Sequence, residues 1–172
     1  MKRGGKLVVF LAVCASIGFL GIYHAVGAGK TARVSRVFDG DTLLLNDDTR
    51  VRLIGVDAPE MDSPYTVREP YGPESKAFLS SLVMDREVRL SYGDPARDKY
   101  GRTLAYVYAG DVLVNGRMIR EGWARAYRQY RHPWRDLFIL YEKEARSKGL
   151  GMWKDTDGKG RREAKGRRKK AP

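Results

Sequence analysis

Cysteine is almost missing from this chain. The only one, Cys14, lies inside an apolar stretch, so nothing from Lys30 onward can form a disulfide. Stability there must come from a core and from any bound metal. Histidine is nearly as scarce: His24 sits in the same apolar stretch and His132 stands alone before Pro133. No Cys/His cluster offers itself to zinc, and a histidine-based nuclease or serine hydrolase has little support. His132 reads as a capping or surface residue. A glycine-rich phosphate loop is absent too, which leaves nucleoside triphosphate hydrolysis unsupported. There are no internal repeats. Acidic residues are the minority, 21 Asp and Glu against 33 Lys and Arg, for a formal net charge of +12. That balance points to a polyanionic partner.

Only one long apolar run exists. Lys2, Arg3 and Lys6 precede residues 7–29, which contain no Asp, Glu, Lys or Arg. Residues 1–29 therefore read as a targeting segment: either a signal peptide cut near Val26-Gly27-Ala28, or an uncleaved membrane anchor of about the ~20 residues a bilayer span needs. Both readings place the rest of the chain outside the cytoplasm. A short linker, 30–33, leads to a domain at 34–153. The tail, 154–172, includes a run at 159–170 with eight basic side chains and one acidic one, which cannot bury a core and is expected to be disordered.

Within the domain, 34–38, 42–46 and 50–56 alternate as strands with polar turns between them. Residues 57–71 read as a long loop. Gly72-Pro73 opens a helix with an apolar face of Phe78, Leu79, Leu82 and Val83. Strands follow at 87–92 and 103–108, separated by a polar loop at 93–101. Asn115 is expected to cap a short helix ending near Gly122, and a last helix runs from about Pro133 to Gly149. Its buried side is expected to carry Leu137, Leu140, Tyr141 and Ala145, with Glu142 on the solvated face. Five strands with a helix between the third and fourth fit an α+β architecture, a small five-stranded oligonucleotide-binding (OB) barrel with three helices.

Three clusters carry the chemistry: Asp39-Gly40-Asp41-Thr42, then Arg52 through Asp57-Ala58-Pro59-Glu60, then Asp98-Lys99-Tyr100-Gly101-Arg102. Each alone is an ordinary turn or strand end. Together they supply carboxylate oxygens for a hard cation, a further carboxylate able to act as a base, and two arginines. That set suits attack on a phosphodiester.

The order Asp-Gly-Asp-Thr, Arg-x₄-Asp-x-Pro-Glu, Tyr-Gly-Pro-Glu (71–74), Asp-Lys-Tyr-Gly-Arg and Leu-Ala-Tyr-x-Tyr (104–108) strongly resembles the thermonuclease (staphylococcal nuclease-like) family. Val114-Asn115, Arg120-x-Gly122 and Trp153 extend the likeness over roughly 34–153. The resemblance implies an OB barrel and a Ca²⁺-dependent phosphodiesterase that cuts DNA and RNA, preferring single strands, as a monomer. It places the metal on Asp41, Asp57 and the backbone carbonyl of Ala58, where the family often has Thr. Its carboxylate base falls on Glu60 and its phosphate-binding arginines on Arg52 and Arg102. Lys99 and Tyr100 fall near the bound nucleotide. The family's paired base-pocket tyrosines are two residues apart, whereas Tyr127 and Tyr130 are three apart, so Tyr127 is carried over and Tyr130 left open. The alternative is a catalytically inactive OB-type nucleic-acid-binding module at the cell surface.

Overall fold

A computed structural model describes residues 29–62 and 69–154. The apolar amino-terminal segment, the middle of the long loop and the basic tail lie outside the described residues. Among the described residues no helix is long and apolar enough to cross a membrane.

The chain begins as a meander, β1 (Thr31–Val37), β2 (Thr42–Leu45) and β3 (Arg50–Leu53), followed by the short β4 (Val56–Asp57). Alternation decides which side faces in. Val34, Leu43, Leu45, Val51 and Leu53 are all sealed from solvent, while Arg36, Leu44, Arg50 and Arg52 occupy the intervening positions. Helix α1 (Gly72–Val83) then crosses to β5 (Glu87–Arg97) and β6 (Thr103–Ala109), which ends in a short turn to β7 (Val112–Leu113). Strand order is β3-β2-β1-β5-β6, and a parallel pairing of β3 with β6 closes the sheet into the expected five-stranded barrel. Closure removes the free edges that an open five-stranded sheet would expose. Two more helices, α2 (Val114–Arg120) and α3 (Arg135–Ser147), complete the expected three, and β8 (Arg125–Ala126) between them pairs with β4.

The face of α1 is as its periodicity indicates: Leu79 and Val83 are fully buried, with Phe78 and Leu82 packed beside them. Two strand bounds differ from expectation: β1 begins at Thr31, inside the expected linker 30–33, because Thr31–Arg33 pair with β5, and the strand expected over 50–56 breaks after Leu53. Three further expectations need correction. The strand expected at 87–92 runs on to Arg97, because Arg97 still pairs with Thr103 across an irregular stretch of the β5–β6 ladder. Asn115 does not cap α2. It is buried inside the helix, where Oδ1 accepts from the Val107 N–H at 2.8 Å and Nδ2 donates to the carbonyls of Ile54 (2.9 Å) and Ala105 (3.2 Å). A single amide thus satisfies three backbone groups just beyond the β3–β6 seam, where the ladder stops.

The third correction concerns α3. Its buried line is Phe138, Glu142 and Ala145, and Leu140 is 48% exposed. Glu142 is drawn inward because it has partners there: Ala126 N–H and Arg128 on Oε2, and Arg146 on Oε1. A charged side chain on a helix reads as solvated only when no such partners come from other elements.

Candidate active site

The turn between β1 and β2 is built around Asp39, whose carboxylate accepts the Asp41 N–H at 2.9 Å. Gly40 between them has no room for a side chain. An added Cβ would lie 1.9 Å from Ser75 Oγ and 2.7 Å from the Ala58 Cβ, so α1 and the β4 exit press directly on this turn. That pressure buries Asp41.

Asp41 is the centre of the cluster. Its Oδ2 accepts the Ala58 N–H at 2.9 Å and lies 3.0 Å from Arg52 Nη1, and its Oδ1 accepts from the Thr42 hydroxyl at 3.0 Å. The same Arg52 nitrogen donates to the Val56 carbonyl at 2.8 Å and toward the Leu53 carbonyl at 3.3 Å. Burial raises the Asp41 carboxyl to about 7. Arg52 pulls the other way and is outweighed, while the neighbouring charge of Asp39 adds to the rise. Loss of solvent thus outweighs the single arginine in setting this carboxyl.

Asp57 and Glu60 lie on the segment leaving β4. Asp57 is half-buried, and Asp57 pairs through its backbone with Arg125 of β8. Glu60 stands exposed at the rim. Partial desolvation raises its pKa, reinforced by Asp39, Glu69 and Asp57 and opposed by Arg52. Asp39, Asp57 and Glu60 thus share one region of negative potential beside Asp41. Among the described residues, no three His, Cys, Asp or Glu side chains converge closely enough to hold a metal by themselves. A cation here would need backbone oxygen, water or substrate to complete its shell. The donors present are all oxygens, which suits Ca²⁺ or Mg²⁺, and an undercompensated buried carboxylate favours any divalent cation.

Lys99, Tyr100 and Arg102 form a second group, on the turn from β5 to β6. Asp98 organises it. Its Oδ1 accepts the N–H groups of Tyr100 and Arg102, each at 2.9 Å, and its Oδ2 accepts Arg102 Nε at 2.7 Å. Gly101 takes the left-handed conformation (φ 79°) that closes the turn. Burial works to raise the Asp98 carboxyl, but the hydrogen bonds from Arg102 and Tyr100 outweigh it and hold the group below its ordinary value. The Lys99 ammonium lies 5.0 Å from the centre of the Tyr100 ring, and Tyr100 is 71% exposed. Among the described residues no hydrogen bond or ion pair joins this group to Asp41. Topology relates them instead: Arg52 pairs with Leu104 of β6, and Arg102 sits in the turn immediately before that strand begins.

Tyr127 is brought to the same end of the barrel by the β4–β8 pairing, which continues as Tyr127 N–H to the Gly55 carbonyl at 2.9 Å. Its ring is half-buried and 5.7 Å from that of the exposed Tyr130, so the two tyrosines form one patch despite their altered spacing. His132 is neither a cap nor a surface group. Its Nδ1 is 3.1 Å from the Tyr106 hydroxyl, and its ring packs on Phe138 and beneath Gly55.

The sequence places Asp39 and Asp98 in the clusters that carry the chemistry but gives neither a role of its own; the structure makes each the organiser of its turn. A carboxylate four residues before an arginine in a Gly-containing turn was the available signal for Asp98.

Comparison with known proteins gives a consistent result. Residues 50–155 match the family described as staphylococcal nuclease homologue. The chain is 43% identical over 129 residues to a thermonuclease of Staphylococcus intermedius, covering 73% of this chain and 77% of that one. Over 164 residues it is 33% identical to a thermonuclease of Staphylococcus hyicus, covering 89% and 97%. It is also 38% identical over 163 residues to a micrococcal nuclease of Shigella flexneri, covering 88% of each.

Proposed function

Because the chain belongs to the staphylococcal nuclease homologue family, we propose that it is an endonuclease that hydrolyses phosphodiester bonds in DNA and RNA with low sequence specificity and depends on Ca²⁺. The observation that carries this reading is Asp41: a buried carboxyl 3.0 Å from Arg52, with Ala58 N–H on the same oxygen, Asp57 and Glu60 on the adjoining segment, and Arg102 in the turn that leads into the strand beside Arg52. Asp41, Asp57 and the Ala58 carbonyl would hold the cation, which when bound neutralises charge on a phosphate oxygen. Glu60 takes a proton from the attacking water, and its raised pKa makes it a better base at neutral pH. A positioned base is worth ~10²–10⁴ in rate. Arg52 and Arg102 donate charge-assisted hydrogen bonds to the phosphoryl oxygens as negative charge builds there. A lysine carries the charge without the planar fork, so neither arginine is replaceable by lysine.

Lys99 and Tyr100 lie along the phosphates and base of the bound nucleotide, with Tyr127 beneath the base. Stacking of this kind accepts any base and favours single strands, whose bases are accessible. Residues 34–153 form the nuclease domain, acting as a monomer. The apolar segment at 1–29 carries it out of the cytoplasm, and either is cleaved or keeps it on the membrane. A catalytically inactive binding module is the less favoured reading, since Asp41, Asp57, Glu60, Arg52 and Arg102 are all present.

The test is direct. The full chain is incubated with single-stranded DNA in Ca²⁺ and in excess chelator, alongside Glu60→Gln. Cleavage that requires Ca²⁺ and is lost in the variant is expected. Binding without cleavage in any divalent metal would replace this reading with the inactive module.

A further inference from the structure

The outer face of the meander carries a second basic feature, one strand position away from the site. Register places Arg36 of β1 opposite Leu44 of β2, and Leu44 opposite Arg50 of β3, so the three share one row across the barrel surface. Arg50 and Arg52 are two positions apart on β3, hence on the same face and about 7 Å apart along the strand. Phe38, at the start of the Asp39 turn, lies opposite Thr42 one row along, and its ring meets the guanidiniums of this row. The guanidinium carbons of Arg36 and Arg50 lie 5.0 Å and 4.2 Å from its ring centre. Arg36 and Arg50 are both exposed, and neither has a carboxylate partner among the described residues.

Two guanidiniums gathered on one ring would repel each other unless something offsets their charge. The ring face offsets part of it, and the contact restricts each long side chain to one place. Stacking uses the flat face of a guanidinium and leaves the N–H groups in its plane free to donate. Those donors suit phosphate oxygens. The ring itself is covered, so it is not a platform for a base. The feature fits the backbone of a polyanion.

We propose that Arg36, Phe38 and Arg50 form a phosphate track that holds the nucleic-acid strand about one to two nucleotides from the bond being cut. The proposal rests on the nuclease reading above. The track adds affinity for long strands without touching the reacting phosphate. Its occupant is the same chain of nucleotides that Arg52 grips, because the β3 repeat leads from Arg50 straight to Arg52.

The experiment compares the full chain with Arg36→Gln/Arg50→Gln and Arg36→Lys/Arg50→Lys. One arm measures binding of a fluorescent oligothymidine longer than the ~4–16 nucleotides an OB fold covers. The other measures cleavage of a thymidine dinucleotide, too short to reach the track. The glutamine pair is expected to weaken oligothymidine binding about tenfold at low salt. It should also reduce the slope of log affinity against log salt by about 1.4, near 0.7 for each lost phosphate contact. Dinucleotide turnover and thermal midpoint should stay at the wild-type level, and the lysine pair should keep most of the slope. Equal oligothymidine affinity in wild type and glutamine pair overturns the track, as does an equal loss on the dinucleotide. Loss of binding to phosphatidylserine vesicles with oligothymidine affinity intact would reassign the patch to a membrane surface and overturn the proposal as well. A track-dependent binder that cuts neither substrate would instead overturn the nuclease reading and leave the track standing.

Discussion

Among the described residues two carboxylates are buried, Glu142 and Asp41, and they are balanced in different ways. Glu142, 1% exposed, is met by Arg146 of its own helix, by the Ala126 N–H of β8 and by Arg128 just after it. Asp41, 6% exposed, meets one arginine, one backbone N–H and the Thr42 hydroxyl, with Asp39 adding negative charge nearby. The first is a finished structural joint, tying α3 to β8 and so to the strand that delivers Tyr127. At the second, burial outweighs the partners and holds the carboxyl near pKa 7, a cost to its charge that a bound divalent cation would offset. A buried charge with all its partners is a part of the scaffold. One without them marks a place where something else binds.

The contrast can be broken most sharply at Asp41. Asp41→Asn removes the charge and keeps the shape. Turnover is expected to fall ~10²–10³-fold, while stability in calcium-free buffer at pH 8 should hold or rise, because a desolvated charge has gone. Steady-state kinetics beside urea unfolding of the same preparation reads both; a large loss of stability would mean that Asp41 is structural after all.

At Glu142 the outcome should invert. Glu142→Ala strands the Ala126 N–H and leaves Arg128 and Arg146 without their shared acceptor. A loss of about 3 kcal/mol is expected, moderated by the half-exposed positions of both arginines. Turnover per folded molecule should change far less, as single-turnover rates well below the thermal midpoint would reveal.

Proton linkage separates the two again. Asp41 sits near pKa 7 when folded and 3.8 when free, so the native state holds its proton more tightly. Its stabilising contribution is full below about pH 4 and disappears as pH rises through 7. The stability difference between wild type and Asp41→Asn, followed by thermal melts in chelator, should move against the wild type over that window by about 4 kcal/mol. Saturating Ca²⁺ should reduce or reverse the trend. A flat difference would place the carboxyl at its ordinary value.

The smallest expected effect lies at Asp98, which holds Arg102 and the Tyr100 N–H in the β5–β6 turn. Asp98→Ala should lower turnover about tenfold by letting Arg102 wander, with little change in metal affinity. Unchanged turnover would mean that the β5–β6 turn positions the arginine unaided.

Much of this protein was legible in its sequence because the signals are local. Alternation in RVRL marks β3, a Gly-Pro pair opens α1, and short polar clusters mark the turns. What was misread depends on distant partners. Glu142 carries the pattern of a solvated helix charge until Ala126 and Arg128 are placed against it. Asn115 looks like a cap until the exposed backbone at the β3–β6 seam is known. The extension of β5 to Arg97 crosses Gly93 and Pro95, both poor strand residues, and is sustained by pairing with Thr103.

By itself the sequence determined the order of elements, the excess of positive charge, and the family pattern of carboxylates, arginines and glycines. Those follow from chain-local periodicity and from which residue types stand at which spacing. Only the tertiary structure decided that Asp41 is buried beyond the reach of full compensation, that Arg36 and Arg50 meet on Phe38, and that Glu142 is an anchor. Burial and ion pairing depend on which strands and helices come together in space, and barrel closure sets those neighbours across separations that no local pattern records.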